Sequence, residues 1–349
     1  MKIKYVTLAL LSGFFFTRCI DEIKFNIDND QQQIVVDGLI ADSLQVYTIK
    51  VNYSAVIGVG SDNIMAPVTG AVVRVLDDAG ESYNFAETDA GIYTREMRGE
   101  VGKAYHVEVK TAGGKTILSH PAVLQKSSPM LPATGKVFED TTISTSGELT
   151  RHTRFSLALN ADVSSLQSTP FLRWRAMGEY QFWENYPNHI NDKICYIKNN
   201  VDFNNIKILD TRELANGLLV NEPFLTTSYN YRFAFMFCFH LFQYTISEEE
   251  YKYWEDVRDI INIDGSLFDP PPGTVKGNLY NPGDSNEQIL GYFSVAGVSY
   301  RRDFFDGISL GVFVDPNCRN WNSRPHSSVC RKCADFPMSS FARPAYWIP

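Results

Sequence analysis

The chain is short of positive charge. Its 32 Lys and Arg are outnumbered by 40 Asp and Glu, giving a formal net charge of −8, and no basic tract occurs. The electrostatic footprint of a nucleic-acid binder is therefore missing, and no nucleic-acid partner is expected. Catalytic signatures are missing as well. There is no Gly-x-Ser-x-Gly elbow, no His-Glu-x-x-His and no complete Gly-x-x-x-x-Gly-Lys-Ser/Thr loop, which removes the readings built on those spacings. The six histidines, His106, His120, His152, His189, His240 and His326, stand singly and read as satisfied polar residues. Asp62-Asn63, Asp77-Asp78 and Asp264 lack the spacing of a calcium loop and read as turns. Beyond residue 16 no apolar run is long enough to cross a bilayer as a helix.

What is present begins at the N-terminus. Lys2 and Lys4 precede an apolar run from Tyr5 to Phe16, and Cys19 follows shortly after. A basic start and an apolar core of this length make a secretory signal, too short to be an anchor. A cysteine just beyond it suggests a lipobox, in which the thiol is acylated and the chain is cut before Cys19. Acyl chains that bury about 0.8 kcal/mol per CH₂ then anchor the protein. Thr17-Arg18 stands where small residues are usual, so the competing reading is an ordinary signal peptide with an incidental cysteine. Residues 1–18 are thus expected to be the lipoprotein signal and 19–33 a polar tether.

Export places the remaining cysteines, Cys195, Cys238, Cys318, Cys330 and Cys333, where disulfides form. Five is odd. Cys238, inside Phe233-Ala234-Phe235-Met236-Phe237-Cys238-Phe239, reads as a buried free thiol. Cys195, Cys318, Cys330 and Cys333 are the candidate disulfide cysteines, with three connectivities open. Cys318, His326, Cys330 and Cys333 also offer four tetrahedral zinc ligands, but the spacing is not that of a zinc ribbon and export favours a disulfide staple. Neither a metal nor a cofactor is expected.

From Ile34 to about 126 short strands alternate with Asp, Asn and Gly turns, including Asp77-Asp78-Ala79-Gly80 and Ala112-Gly113-Gly114-Lys115. This spacing indicates an antiparallel β-sandwich. Residues 127–150 are rich in Pro, Ser, Thr and Gly and read as a linker. A second β-rich domain is expected over 151–315, with strands at Arg154–Leu159, Phe171–Ala176, Tyr229–Phe235, Leu290–Val295 and Gly307–Phe313. One helix interrupts it at about 247–262. Ser247 followed by Glu250 is a capping box, Glu248-Glu249-Glu250 suits the helix N-terminus, and Tyr251, Trp254, Val257, Arg258 and Ile261 share a face. Residues 316–349 form a strandless, cysteine-containing tail. Aromatic residues crowd at Tyr180, Phe182, Trp183 and Tyr186 and at Phe341, Tyr346 and Trp347. They read first as core packing and second as a platform for a saccharide or peptide ligand.

Cys19, Ile34–Ile40, Pro67–Val75, Gly91-Ile92-Tyr93, Ser247–Trp254 and above all Phe268–Asn281 running into Leu290–Ser294 together resemble the Bacteroidetes surface lipoproteins known as domain of unknown function 4249. The likeness covers almost the whole mature chain. It implies an Ig/transthyretin-like or carboxypeptidase-regulatory sandwich at the N-terminus. Acidic residues directly after Cys19 resemble the signal that sends such lipoproteins to the outer face of the outer membrane, although Asp21-Glu22-Ile23 stands where Glu-Pro is commoner. The family's linkage with TonB-dependent receptors implies a barrel partner. The expectation is a non-enzymatic, lipid-anchored outer-membrane accessory or binding lipoprotein, assisting ligand capture, uptake or surface-complex assembly. A secreted hydrolase with an unrecognised site and a purely structural or adhesive lipoprotein are the rivals.

Overall fold

In the computed structural model the described residues are 32–55, 65–144, 147–164, 171–184, 193–201, 205–262, 275–314 and 332–347. Cys19, Tyr186, Cys318, His326, Cys330 and the segment 263–274 lie outside them. Among the described residues the fold is mainly β with one long helix.

Period-two burial makes the first strands. In β1 (Ile34–Ala41) Ile34, Val36 and Ile40 are buried, and in β2 (Gln45–Tyr53) Tyr47, Ile49 and Val51 are. This is the pattern of a strand with one face on a core. β3 (Val72–Asp77), β4 (Ser82–Asp89), β5 (Ile92–Met97), β6 (Ala104–Lys110), β7 (Thr116–Ser119) and β8 (Ala122–Val123) follow, and their pairings are antiparallel. Their core holds Val73, Val75, Phe85, Tyr93, Tyr105 and Val107. Tyr93 and Tyr105 can be fully buried because their hydroxyls are bonded. The Tyr93 hydroxyl donates to the Val68 carbonyl at 2.8 Å, and the Tyr105 hydroxyl accepts from the Glu100 N–H at 2.9 Å.

The second half stacks two sheets. β9 (Met130–Ile143), β10 (Leu149–Asp162) and β14 (Leu218–Ser228) form a three-stranded sheet. It faces β11 (Phe171–Glu184), β12 (Lys193–Asn200), β13 (Lys207–Asp210) and β15 (Phe237–Ile246) of the large sheet. Phe155 of β10 meets Phe233 at 4.8 Å and Phe239 at 5.5 Å between ring centroids, and Trp174, Leu157 and Leu241 fill the same layer. Helix α1 (Glu248–Ile261) and β16 (Leu279–Tyr280) precede the longest strand, β17 (Leu290–Phe305).

β17 ties the halves together. Its first part, Leu290–Ala296, pairs in parallel with Val35–Ala41 of β1, and its second part, Gly297–Phe305, pairs antiparallel with Thr245–Phe237 of β15. One 15-stranded sheet therefore runs through both halves. Gly291 makes the approach feasible. It has φ +93°, and a Cβ there would lie 2.1 Å from the Val36 carbonyl oxygen.

Several expectations are corrected. Residues 127–150 are not a linker: β9 occupies Met130–Ile143 and pairs along β10 from Leu149 onward. Gly135 within it is a packing position, where a Cβ would fall 2.5 Å from the Phe305 ring. Tyr229–Phe235 is not a strand but holds a 3-10 turn at Tyr231–Phe233, which Asn230 caps by accepting from the Arg232 N–H. Gly307–Phe313 is turn, not strand. The tail is not strandless, because β18 (Ser339–Ser340) adds to β12.

Candidate functional site

Helix α1 lies across the outer face of the large sheet where the halves meet. Ser247 Oγ caps it by accepting the Glu250 N–H at 3.1 Å. The reciprocal arm of the capping box is not made, because the Glu250 carboxylate turns into the protein. There it accepts the Ser294 hydroxyl at 2.7 Å and the Trp254 indole N–H at 3.2 Å, and lies 3.9 Å from the Arg173 guanidinium. Burial pushes the Glu250 carboxyl up, opposed by the charge of Arg173 and the Ser294 and Trp254 bonds. Burial also pulls the Arg173 guanidinium down, with Glu250 acting against it. Arg173 is stacked 3.6 Å from the centroid of Trp254, with Tyr244 at 5.6 Å.

Arg173, Tyr244, Trp254 and Ser294 line a pocket of about 450 Å³, with Glu250 behind them. Asp37, Leu39 and Thr48 come to it from the N-terminal half, Arg173, Arg175, Asn200 and Tyr244 from the large sheet, and Tyr253 and Trp254 from α1. Tyr292 and Ser294 of β17 complete the wall, with Tyr253 and Tyr292 at 4.6 Å between rings. A second groove continues from it, sharing Leu39, Thr48 and Tyr244 and adding Leu44, Val46, Phe242 and Tyr300. Leu44 and Val46 are 68% and 61% exposed, so this rim is apolar and open. A mixed wall of aromatics and a few convergent polar groups at a junction is the usual form of a ligand site.

A second buried cluster lies farther along the same face. His240 Nε2 is 3.0 Å from Glu179 Oε2 and its Nδ1 is 2.6 Å from the Tyr300 hydroxyl, while the Tyr346 hydroxyl donates to the same Glu179 oxygen. Burial works to raise the Glu179 carboxyl, but bonds from His240 and Tyr346 outweigh it and hold the group below its ordinary value. An ionised carboxylate only accepts, so Nε2 carries the ring proton and, in the neutral ring, Nδ1 accepts from Tyr300. Both nitrogens are thus engaged, and the carboxylate fastens the tail segment bearing Tyr346 and Trp347 to the sheet.

Cys195 and Cys333 are disulfide-bonded, with Cα atoms 6.1 Å apart. Cys333 is therefore not a zinc ligand, while Cys318, His326 and Cys330 lie outside the described residues. Among the described residues no group of three or more His, Cys, Asp or Glu side chains could hold a metal. Cys238 is a buried free thiol, pushed up to about 12 mainly by burial, which makes it unreactive. Of the aromatic clusters, Tyr180 and Phe182 pack against Phe336 inside the core, Trp347 covers Tyr196 and Phe304, and Phe341 is exposed. The pocket aromatics are others, Tyr244, Tyr253, Trp254 and Tyr292, brought together from three elements. The readable signal for the site was narrower. Arg173 and Arg175 stand two apart on a strand and so share a face.

The family profile described as domain of unknown function (DUF4249) matches residues 20–302. The chain belongs to this family. The DUF4249 match runs from just after Cys19 into the last turn of pairing along β17, so it contains every described wall of the junction pocket. Tyr346 and the rest of the tail fall beyond it. No curated protein matches the chain.

Proposed function

We propose that this DUF4249 protein is a lipid-anchored outer-membrane lipoprotein that binds a ligand and works beside a TonB-dependent transporter, in capture, uptake or assembly of a surface complex. The observation that carries the binding role is the junction pocket, whose walls come from both halves and are fixed by the shared strand β17. Preformed aromatic walls lower the ordering cost of binding. Arg173 in the wall is paired with Glu250 behind it, which Ser294 and Trp254 hold in turn, an arrangement suited to recognition more than to turnover. The anchor rests on Cys19 behind its apolar run, and the transporter partner rests on the family resemblance. Among the described residues no helix is long and apolar enough to cross a membrane.

Two experiments test this reading. Metabolic labelling with an alkyne fatty acid should tag the wild type in the membrane fraction, and Cys19→Ala should abolish the label. Purification through a C-terminal tag from mildly solubilised membranes should bring down one stoichiometric barrel protein. An unlabelled wild type removes the anchor, and a clean monomer removes the transporter partnership.

A further inference from the structure

We infer that the junction pocket recognises a carboxylate on a small ligand that also carries a hydroxyl or N–H donor close by. The inference deepens the binding reading above and rests on it. Its basis is a set of polar atoms around one cavity that the described residues leave unmatched.

Arg173 has five N–H donors and its side chain is only 15% exposed. Donors covered to this degree are normally satisfied by protein or by water. Yet the Arg173 guanidinium makes no hydrogen bond to the described residues. Its nearest carboxylate, Glu250, is 3.9 Å away, beyond hydrogen-bond range. Glu250 is moreover already occupied by Ser294 and Trp254. Arg173 is held instead over the Trp254 ring, a contact that uses none of its donors. Arg175 lies two residues along β11, roughly 7 Å away on the same face. Its side chain is exposed and has neither an ion pair nor a hydrogen bond among the described residues, and it adds repulsion to Arg173. Two guanidinium groups thus border one pocket with no hydrogen bond from either to a described residue, the arrangement that matches a carboxylate in bidentate fashion. A third group has the opposite polarity: the buried Oδ1 of Asn200, also in the wall, meets no donor. Asp37, exposed on the β1 side, offers a further acceptor. A ligand with a carboxylate alone satisfies the arginines and leaves the exposed acceptor Asp37 unmatched. One with a neighbouring hydroxyl or N–H satisfies both, and its apolar face can rest on Tyr253 and Trp254.

Two sources carry that chemistry, an acidic sugar and the C-terminus of a short peptide. Calorimetric titration of the full-length protein with digalacturonic acid and with Ala-Phe addresses each, with the neutral digalactose and Ala-Phe amide as counterparts. At least one acid should bind, at least tenfold more tightly than its neutral counterpart, and the acid that binds identifies the source. Arg175→Gln, an exposed change that leaves the Glu250 cluster intact, should weaken that acid at least tenfold. Arg173→Gln should do so more strongly. Equal binding of acid and neutral forms, or an Arg175→Gln protein that binds normally, overturns the carboxylate inference and leaves the binding reading standing. Failure of all four probes at millimolar concentration overturns the inference and counts against the binding reading as well.

Discussion

At the residue scale, the informative charges are those the protein has taken out of water. Glu250 and Arg173 form a buried pair, 2% and 15% exposed in their side chains. Removing one member of such a pair is worse than removing both, because the other is left charged and unsolvated. Glu250→Ala should therefore cost roughly 3–5 kcal/mol, read as a lower urea midpoint. The double variant Glu250→Leu/Arg173→Met should recover most of that loss. A single variant within about 1 kcal/mol of wild type, the size of an exposed pair, would show that the pair is hydrated. Glu179 gives a pH prediction with the opposite electrostatic sign. Its folded value lies below the ordinary 4.5 despite burial, owing to His240 and Tyr346. The unfolded chain then takes up the proton first as pH falls. The contribution of Glu179 is present above 4.5 and is lost as pH drops through its lower folded value. Trp347, packed at 4.9 Å on Tyr196, should report the loss as a fluorescence transition in that acid range. Glu179→Gln should flatten the transition, and an unchanged transition in that variant would exclude Glu179 as its origin.

At the scale of elements, legibility followed local signals. The helix could be read because its evidence is contiguous: Ser247 as cap, three glutamates, then a stripe of aromatics. That Glu250 alone of the three is buried could not be read, since Glu248, Glu249 and Glu250 look alike until Arg173 and Ser294 arrive from distant strands. The stretch 127–150 misled for a related reason. No residue of β9 is buried, so it lacks the period-two hydrophobic signal. Its threonines, good strand formers, were outweighed by Pro132, Gly135 and the serines as apparent breakers. The His240–Glu179 pair was likewise invisible, because neighbouring strands join residues 61 positions apart. The cysteine pattern marks Cys238 as a buried thiol but leaves the partner of Cys195 open. The bond to Cys333 closes a separation of 138 residues and pins the tail beside β12. Loss of a bridge closing a long loop costs roughly 2–5 kcal/mol. Cys195→Ser/Cys333→Ser should thus unfold at distinctly lower denaturant under oxidising conditions, with wild type falling to the same midpoint when reduced. A reduced wild type that kept its midpoint would show that the bridge contributes little.

At the scale of the whole molecule, the decisive feature is that β17 belongs to two neighbourhoods at once. Its first seven residues complete the N-terminal sheet beside β1, with Phe293 and Val295 in that core, and its remainder completes the second half beside β15. Ordinary tandem domains meet across polar surfaces and melt separately. Here neither half can lose β17 without exposing a row of backbone donors and acceptors in the other. Unfolding should accordingly be a single transition, with the Trp174 fluorescence of the second half and the amide exchange of β1–β3 reporting one midpoint. Gly291→Ala tests the coupling from a position in the first half. A Cβ there collides with the Val36 carbonyl at a φ that L residues rarely adopt, a strain of about 1–3 kcal/mol or more. Both probes should shift together to lower denaturant. A shift confined to β1–β3, with the Trp174 transition unmoved, would mean that the two halves fold independently and that the junction pocket is a seam between separable parts.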